Sequence, residues 1–178
     1  MFSNIIETAF HLIFTLDKDL IEIISLSLRV TLSALVISII ISIPFGAFLV
    51  FYKNKFQSAI ILISNTLMGM PPVVLGLIIY TLVSKKGIFG FLDILYTPTA
   101  MILAQTLLIT PIIISLTYEE VYKKNKEINL LLDSLNLSNF VKLKTLIYEC
   151  RFALVTVTLT GFGRASAEVG AVVIVGGN

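Results

Sequence analysis

From Arg29 to Lys53 the chain carries no charged residue, and the same is true from Lys55 to Lys85 and from Asp93 to Glu119. Each of these runs is long enough as a helix, at about 1.5 Å per residue, to cross a hydrocarbon layer of roughly 30 Å. A soluble domain of this size clothes itself in charge, usually to about a quarter of its residues. Here Asp, Glu, Lys and Arg together make up 13% against 57% hydrophobic residues, and the mean hydropathy is +0.98. A bilayer is therefore the expected solvent, and the expected fold class is all-α, a polytopic transmembrane helical bundle. The net charge of +2 gathers beside the apolar runs, where it reads as a topological signal rather than a nucleic-acid surface.

The chemistry-bearing residue types are sparse. One cysteine, Cys150, and one histidine, His11, stand far apart. That excludes an internal disulfide, and no metal site, cofactor or catalytic residue is expected. Cys150 reads as a small residue at a helix junction. Residues 1–19 mix apolar side chains with Glu7, His11 and Asp17, a pattern suited to a membrane interface, and carry no cleavable signal.

Polar residues inside the apolar runs are the informative ones, because lipid offers them nothing. The first run holds Ser33, Ser38, Ser42, Pro44 and Gly46, small or irregular positions where another helix can approach. The second contains Asn65, Thr66, Gly69, Pro71 and Pro72. Two adjacent prolines remove amide donors, so this run is expected to break, either as a kinked helix or as one wall of a polar pathway. The third, Ile94 to Tyr118, contains Gln105, Thr110 and Pro111, and the amide of Gln105 requires a protein or water partner.

The pattern changes at Glu119. Residues 119–151 interleave charge with leucine and read as two short amphipathic helices parted near Asn136, which tolerates left-handed backbone, with Ser138 as the cap of the second. The stretch from Arg151 to Arg164 is again uncharged. On a continuous helix from Phe152, Arg164 would lie roughly 18 Å along it. A lipid-facing charge at that depth costs about 2.5–3.5 kcal/mol. Arg164 and Glu168, four residues apart, therefore pair on one helix face as a structural ion pair or line a polar cavity, with Gly161, Gly163, Ala165, Ala167, Gly170 and Ala171 permitting close packing. With most basic residues on the linker Lys53–Lys55 and in 119–151, the positive-inside rule places the N-terminus outside and the long loop in the cytoplasm.

The stretch from Met68 to Ala104, MGMPPVVLGLIIYTLVSKKGIFGFLDILYTPTAMILA, continued by Gln105, Thr106, Leu107 and Pro111, resembles the membrane permease of tungstate importers of the ATP-binding-cassette (ABC) type, relatives of the molybdate permeases. The closing GFGRASAEVGAVVIVGGN from Gly161 to Asn178 carries the same resemblance. It implies a methionine-permease-like transmembrane domain over residues 1–178, lying in the bacterial cytoplasmic (inner) membrane, multi-pass and lacking the family's final span. It also implies a second permease copy, a cytoplasmic ABC ATPase dimer and an extracytoplasmic substrate-binding protein as partners, and no enzymatic activity of its own. Asn65, Thr66, Pro71, Pro72, Gln105, Thr110, Arg164 and Glu168 become the expected translocation pathway. The loop 119–151 becomes the coupling element, with Leu131, Leu135, Asn136, Leu137, Phe140, Lys142 and Lys144 meeting the ATPase. The superfamily's cytoplasmic signature is altered here: Leu130, Leu131 and Leu132 replace Glu-Ala-Ala, Asn136 replaces glycine, and Tyr148-Glu149 replace Leu-Pro. Molybdate or another oxyanion as cargo, and a non-transporting membrane assembly or regulatory subunit, are the competing readings.

Overall fold

The computed structural model describes residues 18–52 and 54–176. The interfacial reading of the N-terminus, including His11, lies outside the described residues, as do Lys53, Gly177 and Asn178. The described chain is helical throughout: α1 (Lys18–Leu49), α2 (Lys55–Met68), α3 (Pro72–Val83), α4 (Pro98–Ser134), α5 (Asn139–Glu149), α6 (Arg151–Ala167) and α7 (Val169–Gly176), with a single 3₁₀ turn at Gly90–Leu92. By length and composition two helical stretches are apolar enough to cross a membrane, Ile21–Leu49 and Pro98–Ser134. The pairs α2–α3 and α5–α6 each qualify jointly but are bent, by 107° and 71°.

The bundle is organised by α1 against α4. Ala34, Ser38, Ser42 and Gly46 recur every fourth residue along α1 and are all buried, so one face of α1 is a strip of small side chains. Against it lie Thr106, Thr110, Ile114 and Thr117 of α4. The Ser38 and Ser42 hydroxyls donate to the carbonyls of Thr106 and Thr110, each at 3.4 Å, and Thr110 Oγ1 donates to Ser38 Oγ at 3.3 Å. A Cβ at Gly46 would stand 2.8 Å from the Ile114 carbonyl oxygen and 3.0 Å from Thr117 Cβ. Of the small or irregular positions read from sequence, Ser38, Ser42 and Gly46 make this seam, whereas Ser33 is half-buried and Pro44 is exposed.

Three apolar clusters run along the bundle. Leu35, Ile109, Ile113, Val157 and Ala165 join α1, α4 and α6. Ala47, Val50, Val121, Leu132, Leu146 and Leu154 join the C-terminal end of α1 to α4, α5 and α6. Ile79, Val83, Ala100, Ala104 and Val175 seat α3 and α7 on the start of α4. α2 is pinned by polar contacts: Gln57 Nε2 donates to the Tyr118 hydroxyl at 2.6 Å, and Ser115 Oγ donates to Asn65 Oδ1. Large apolar side chains such as Ile40, Leu62, Val155 and Leu159 remain exposed on the outer faces, the distribution expected where lipid is the solvent.

The seam at Gly46 is testable. Gly46→Leu should lower the thermal stability of the detergent-purified protein by about 1–3 kcal/mol through overpacking. Gly163→Ala, where a new Cβ meets nothing within 4 Å, should leave it unchanged. Equal melting temperatures for Gly46→Leu and wild type would mean that the helices do not approach this closely.

Candidate functional site

The helix expected to run unbroken through Arg164 and Glu168 does not. α6 ends at Ala167, and Glu168 adopts φ −102°, ψ 82° before α7 restarts at Val169. A helix end leaves carbonyls short of the usual intrahelical donors; the Ala165 carbonyl accepts from the Glu168 amide at 3.4 Å and from Gln105 Nε2 of α4, also at 3.4 Å. The break thus accounts for a buried amide in the N-terminal part of α4, where Gln105 is only 4% exposed. The expected ion pair forms nevertheless, across the break rather than along one helical face, with Arg164 Nη2 3.1 Å from Glu168 Oε1.

Beside this break lies a cavity of about 220 Å³, bounded by α1, α4, α6 and the residues leading into α7. Gln105 and Glu168 line it with Ser27 and Thr31 of α1, Met101 of α4 and Ser166 of α6. Gln105 Oε1 is buried with no partner among the described residues, and so is Arg164 Nε. Chemically this is an apolar chamber with a few hydroxyls, a free amide oxygen and a carboxylate whose charge is offset by a guanidinium, suited to weak polar contacts rather than to a tight cage. Ser27, Thr31 and Ser166 escaped the sequence reading. The signal was present in α1, where Ser27 and Thr31 are four residues apart and continue the small-residue strip toward the N-terminus.

The other expected pathway residues do not converge on this cavity. Pro71 caps α3 and Pro72 is its first residue, positions where a missing amide hydrogen costs least. The Pro-Pro segment is accordingly a sharp corner between two helices. Thr66 Oγ1 donates to the Leu62 carbonyl at 2.8 Å within α2, and Asn65 is bound to Ser115. Asn65, Thr66 and Pro71 remain exposed on the bundle's surface. Thr110 is engaged in the α1–α4 seam. Of the small residues expected around the ion pair, Gly161 meets Ile113 of α4 and Gly163 faces open space. Ala165 is buried and Ala167 exposed, while the side-chain surroundings of Gly170 and Ala171 fall outside the described residues.

The expected coupling loop is also built differently. Its first arm is not a separate short helix but the last turns of α4, which continues for 37 residues to Ser134. Helical backbone persists because residues 119–134 offer strong helix formers and a buried side through Val121 and Leu132. The chain then turns at Asn136, whose φ of 48° is the left-handed conformation that asparagine tolerates. Ser138 occupies the N-cap position of α5, but its side chain makes no capping bond. Its carbonyl accepts from the Lys142 amide instead, at 3.0 Å.

At this elbow Leu131, Leu135 and Phe140 are exposed by 61%, 58% and 75%, an apolar knob unusual on a charged loop. Leu137 faces inward against the cluster of Leu132 and Leu146. Lys142, expected at the rim of a docking surface, pairs with Asp133 at 2.5 Å and so ties α5 to the end of α4. Lys144 is exposed. Cys150 sits at the α5–α6 junction, buried, with Sγ 3.8 Å from the Glu120 carbonyl.

No family model matches the chain. Whole-chain comparison finds relatives of one kind. The chain is 36% identical over 170 residues to the tungstate uptake system permease protein TupB of Peptoclostridium acidaminophilum, spanning 96% of this chain and 75% of that protein. It is 39% identical over 170 residues to the permease of the same name from Campylobacter jejuni, spanning 96% and 71%. A probable anion ABC transporter permease protein of Haloferax volcanii is 32% identical over 159 residues, spanning 89% and 68%. An apolar helical bundle and identity at this level along nearly the whole chain lead to one conclusion: the protein belongs to the tungstate and anion permease family of ABC transporters.

Proposed function

We propose that the chain is the membrane subunit of an ABC importer that carries tungstate across the cytoplasmic membrane by alternating access, with a methionine-permease-like transmembrane domain. The observation that carries this reading is the near full-length match to two tungstate permeases by a chain whose long helices expose apolar faces. In this reading α1, the α2–α3 pair, α4 and the α5–α6 pair supply up to four spans. The N-terminus lies outside and the elbow at Asn136 in the cytoplasm. A second copy completes the pathway, an extracytoplasmic binding protein delivers the anion, and two cytoplasmic ATPase subunits drive the cycle. Molybdate or another oxyanion is the second reading, favoured by the broader anion description of the Haloferax volcanii relative.

Tungstate is a tetrahedral dianion, and a route for it needs positive charge without a sink. Arg164 supplies the charge and Glu168 tempers it. Gln105 lies beside them. Asn65, Thr66 and Pro71, exposed along the α2–α3 corner with Pro72 half-buried, are placed by this reading on a wall shared between two copies. Thr110 would contribute only if the α1–α4 seam opened.

Coupling would act through α4 itself. The helix that carries Gln105 also carries Leu131, about 40 Å along the same rod at the usual helical rise. A push on the exposed Leu131, Leu135 and Phe140, beside Asn136, Leu137 and the Lys142–Asp133 tie, reaches the cavity without an intervening loop. Lys144 would stand at the margin of the contact.

Reconstitution with the cognate ATPase and binding protein tests the assignment: tungstate should be taken up in preference to sulfate, and uptake with molybdate favoured would identify the second reading. In the same vesicles Arg164→Ala should abolish uptake while the complex still assembles, and uptake equal to wild type would remove Arg164 from the pathway. Phe140→Asp should weaken co-purification of the ATPase at least tenfold, equivalent to about 1.4 kcal/mol, leaving the permease folded. Unchanged recovery of the ATPase would place the contact elsewhere.

A further inference from the structure

The 71° bend between α5 and α6 opens a second hollow, a groove of about 540 Å³ on the side of the bundle where α1 passes. Ile43, Ile147, Leu154, Val155 and Leu159 make its apolar walls, and no carboxylate lines it. Lys144 and Arg151 line it too, with Tyr148 between them in the chain. Arg151 is the first residue of α6, and Val155 and Leu159 follow it one and two turns along the same helix. The groove is therefore cationic where the helix begins and apolar along its length.

Near the elbow most other cations are neutralised, and Lys126, which among the described residues is not, lies over the Tyr122 ring at 4.7 Å. Lys123, Lys124, Lys142 and Arg164 each pair with a carboxylate. Lys144 and Arg151 have no carboxylate partner within ion-pair distance among the described residues, and both are exposed. Arg151 is held in place without being neutralised. Its Nη1 donates to the Tyr148 carbonyl at 3.0 Å, and its guanidinium lies over the Tyr148 and Phe152 rings at 4.5 and 4.7 Å. Most of its five N–H donors remain available.

We infer that this groove binds a diacyl anionic phospholipid of the leaflet adjoining the elbow, its phosphate held by Lys144 and Arg151 and an acyl chain lying along Leu154, Val155 and Leu159. The charge pattern selects this occupant. Unneutralised basic residues beside an apolar channel at the edge of a membrane helix match a headgroup phosphate joined to a hydrocarbon tail; an acidic peptide offers counter-charge but no acyl chain, and a zwitterionic lipid offers the phosphate but offsets it with its own ammonium. The inference rests on the membrane orientation proposed above. Occupied, the site would brace the joint between the elbow and the α6 helix that carries Arg164.

Native mass spectrometry of the full chain in detergent tests it, with phosphatidylglycerol and phosphatidylcholine of matched acyl composition as probes. Phosphatidylglycerol should be retained preferentially. Lys144→Gln with Arg151→Gln should reduce its occupancy about tenfold or more. Val155→Trp, a substitution at a 58% exposed position that fills the groove, should reduce it with both cations intact. Competition by inorganic phosphate as effective as that by the lipid would overturn the proposal in favour of a simple anion site. Equal retention of the two lipids would also overturn it. So would disulfide cross-linking between two copies at Val155→Cys, which would show a protein partner in the groove. If the chain reaches the membrane and supports anion uptake without phosphatidylglycerol preference, this inference alone fails. Recovery of the chain from the aqueous fraction without detergent would defeat the membrane reading as well.

Discussion

The contact on which the rest of the structure depends is the close approach of α1 to α4. A bilayer supplies no hydrophobic drive between apolar helices, so association relies on surfaces that fit and on hydrogen bonds that lipid cannot replace. The strip Ala34, Ser38, Ser42 and Gly46 provides both. Small side chains let the backbones close, and the two serine hydroxyls, having no water to solvate them, turn to α4 carbonyls. α4 thereby becomes the axis to which α2, α6 and α7 attach through Tyr118, Ile113 and Ala104 respectively.

A second constraint follows from the length of that axis. α4 stays helical past Pro111, where the missing amide hydrogen leaves out one rung of the ladder, and past Tyr118 to Ser134, so its apolar and amphipathic parts form one mechanical element. Sequence composition divides the helix at Glu119, because charge appears there. The backbone does not, because charge on a helix surface does not interrupt backbone hydrogen bonding. The elbow beyond it is shaped by Asn136 in the left-handed region and held by the Lys142–Asp133 pair. That intrachain use of Lys142 was invisible in the linear order, since the two residues meet only after the chain reverses.

The polar cavity shows how far a pattern in the chain can mislead while its chemistry holds. Arg164 and Glu168 have the spacing of a helical i, i+4 pair and do meet, yet the helix stops at Ala167. The break makes sense of Gln105, whose amide reaches the Ala165 carbonyl. Ser27 and Thr31 enter the same cavity from α1. The residues around the proline pair, by contrast, share polarity with this site but not location, since Pro71 and Pro72 turn the chain away after α2.

By itself the sequence determined the solvent class, the helical character, the positions of the proline corner and the Asn136 turn, and the family resemblance, because each follows from local hydropathy, backbone sterics or contiguous residue identity. Tertiary structure alone decided which polar residues share a cavity and where α6 breaks. Those outcomes depend on distances between segments far apart in the chain, and no local preference encodes how α1, α4 and α6 approach one another.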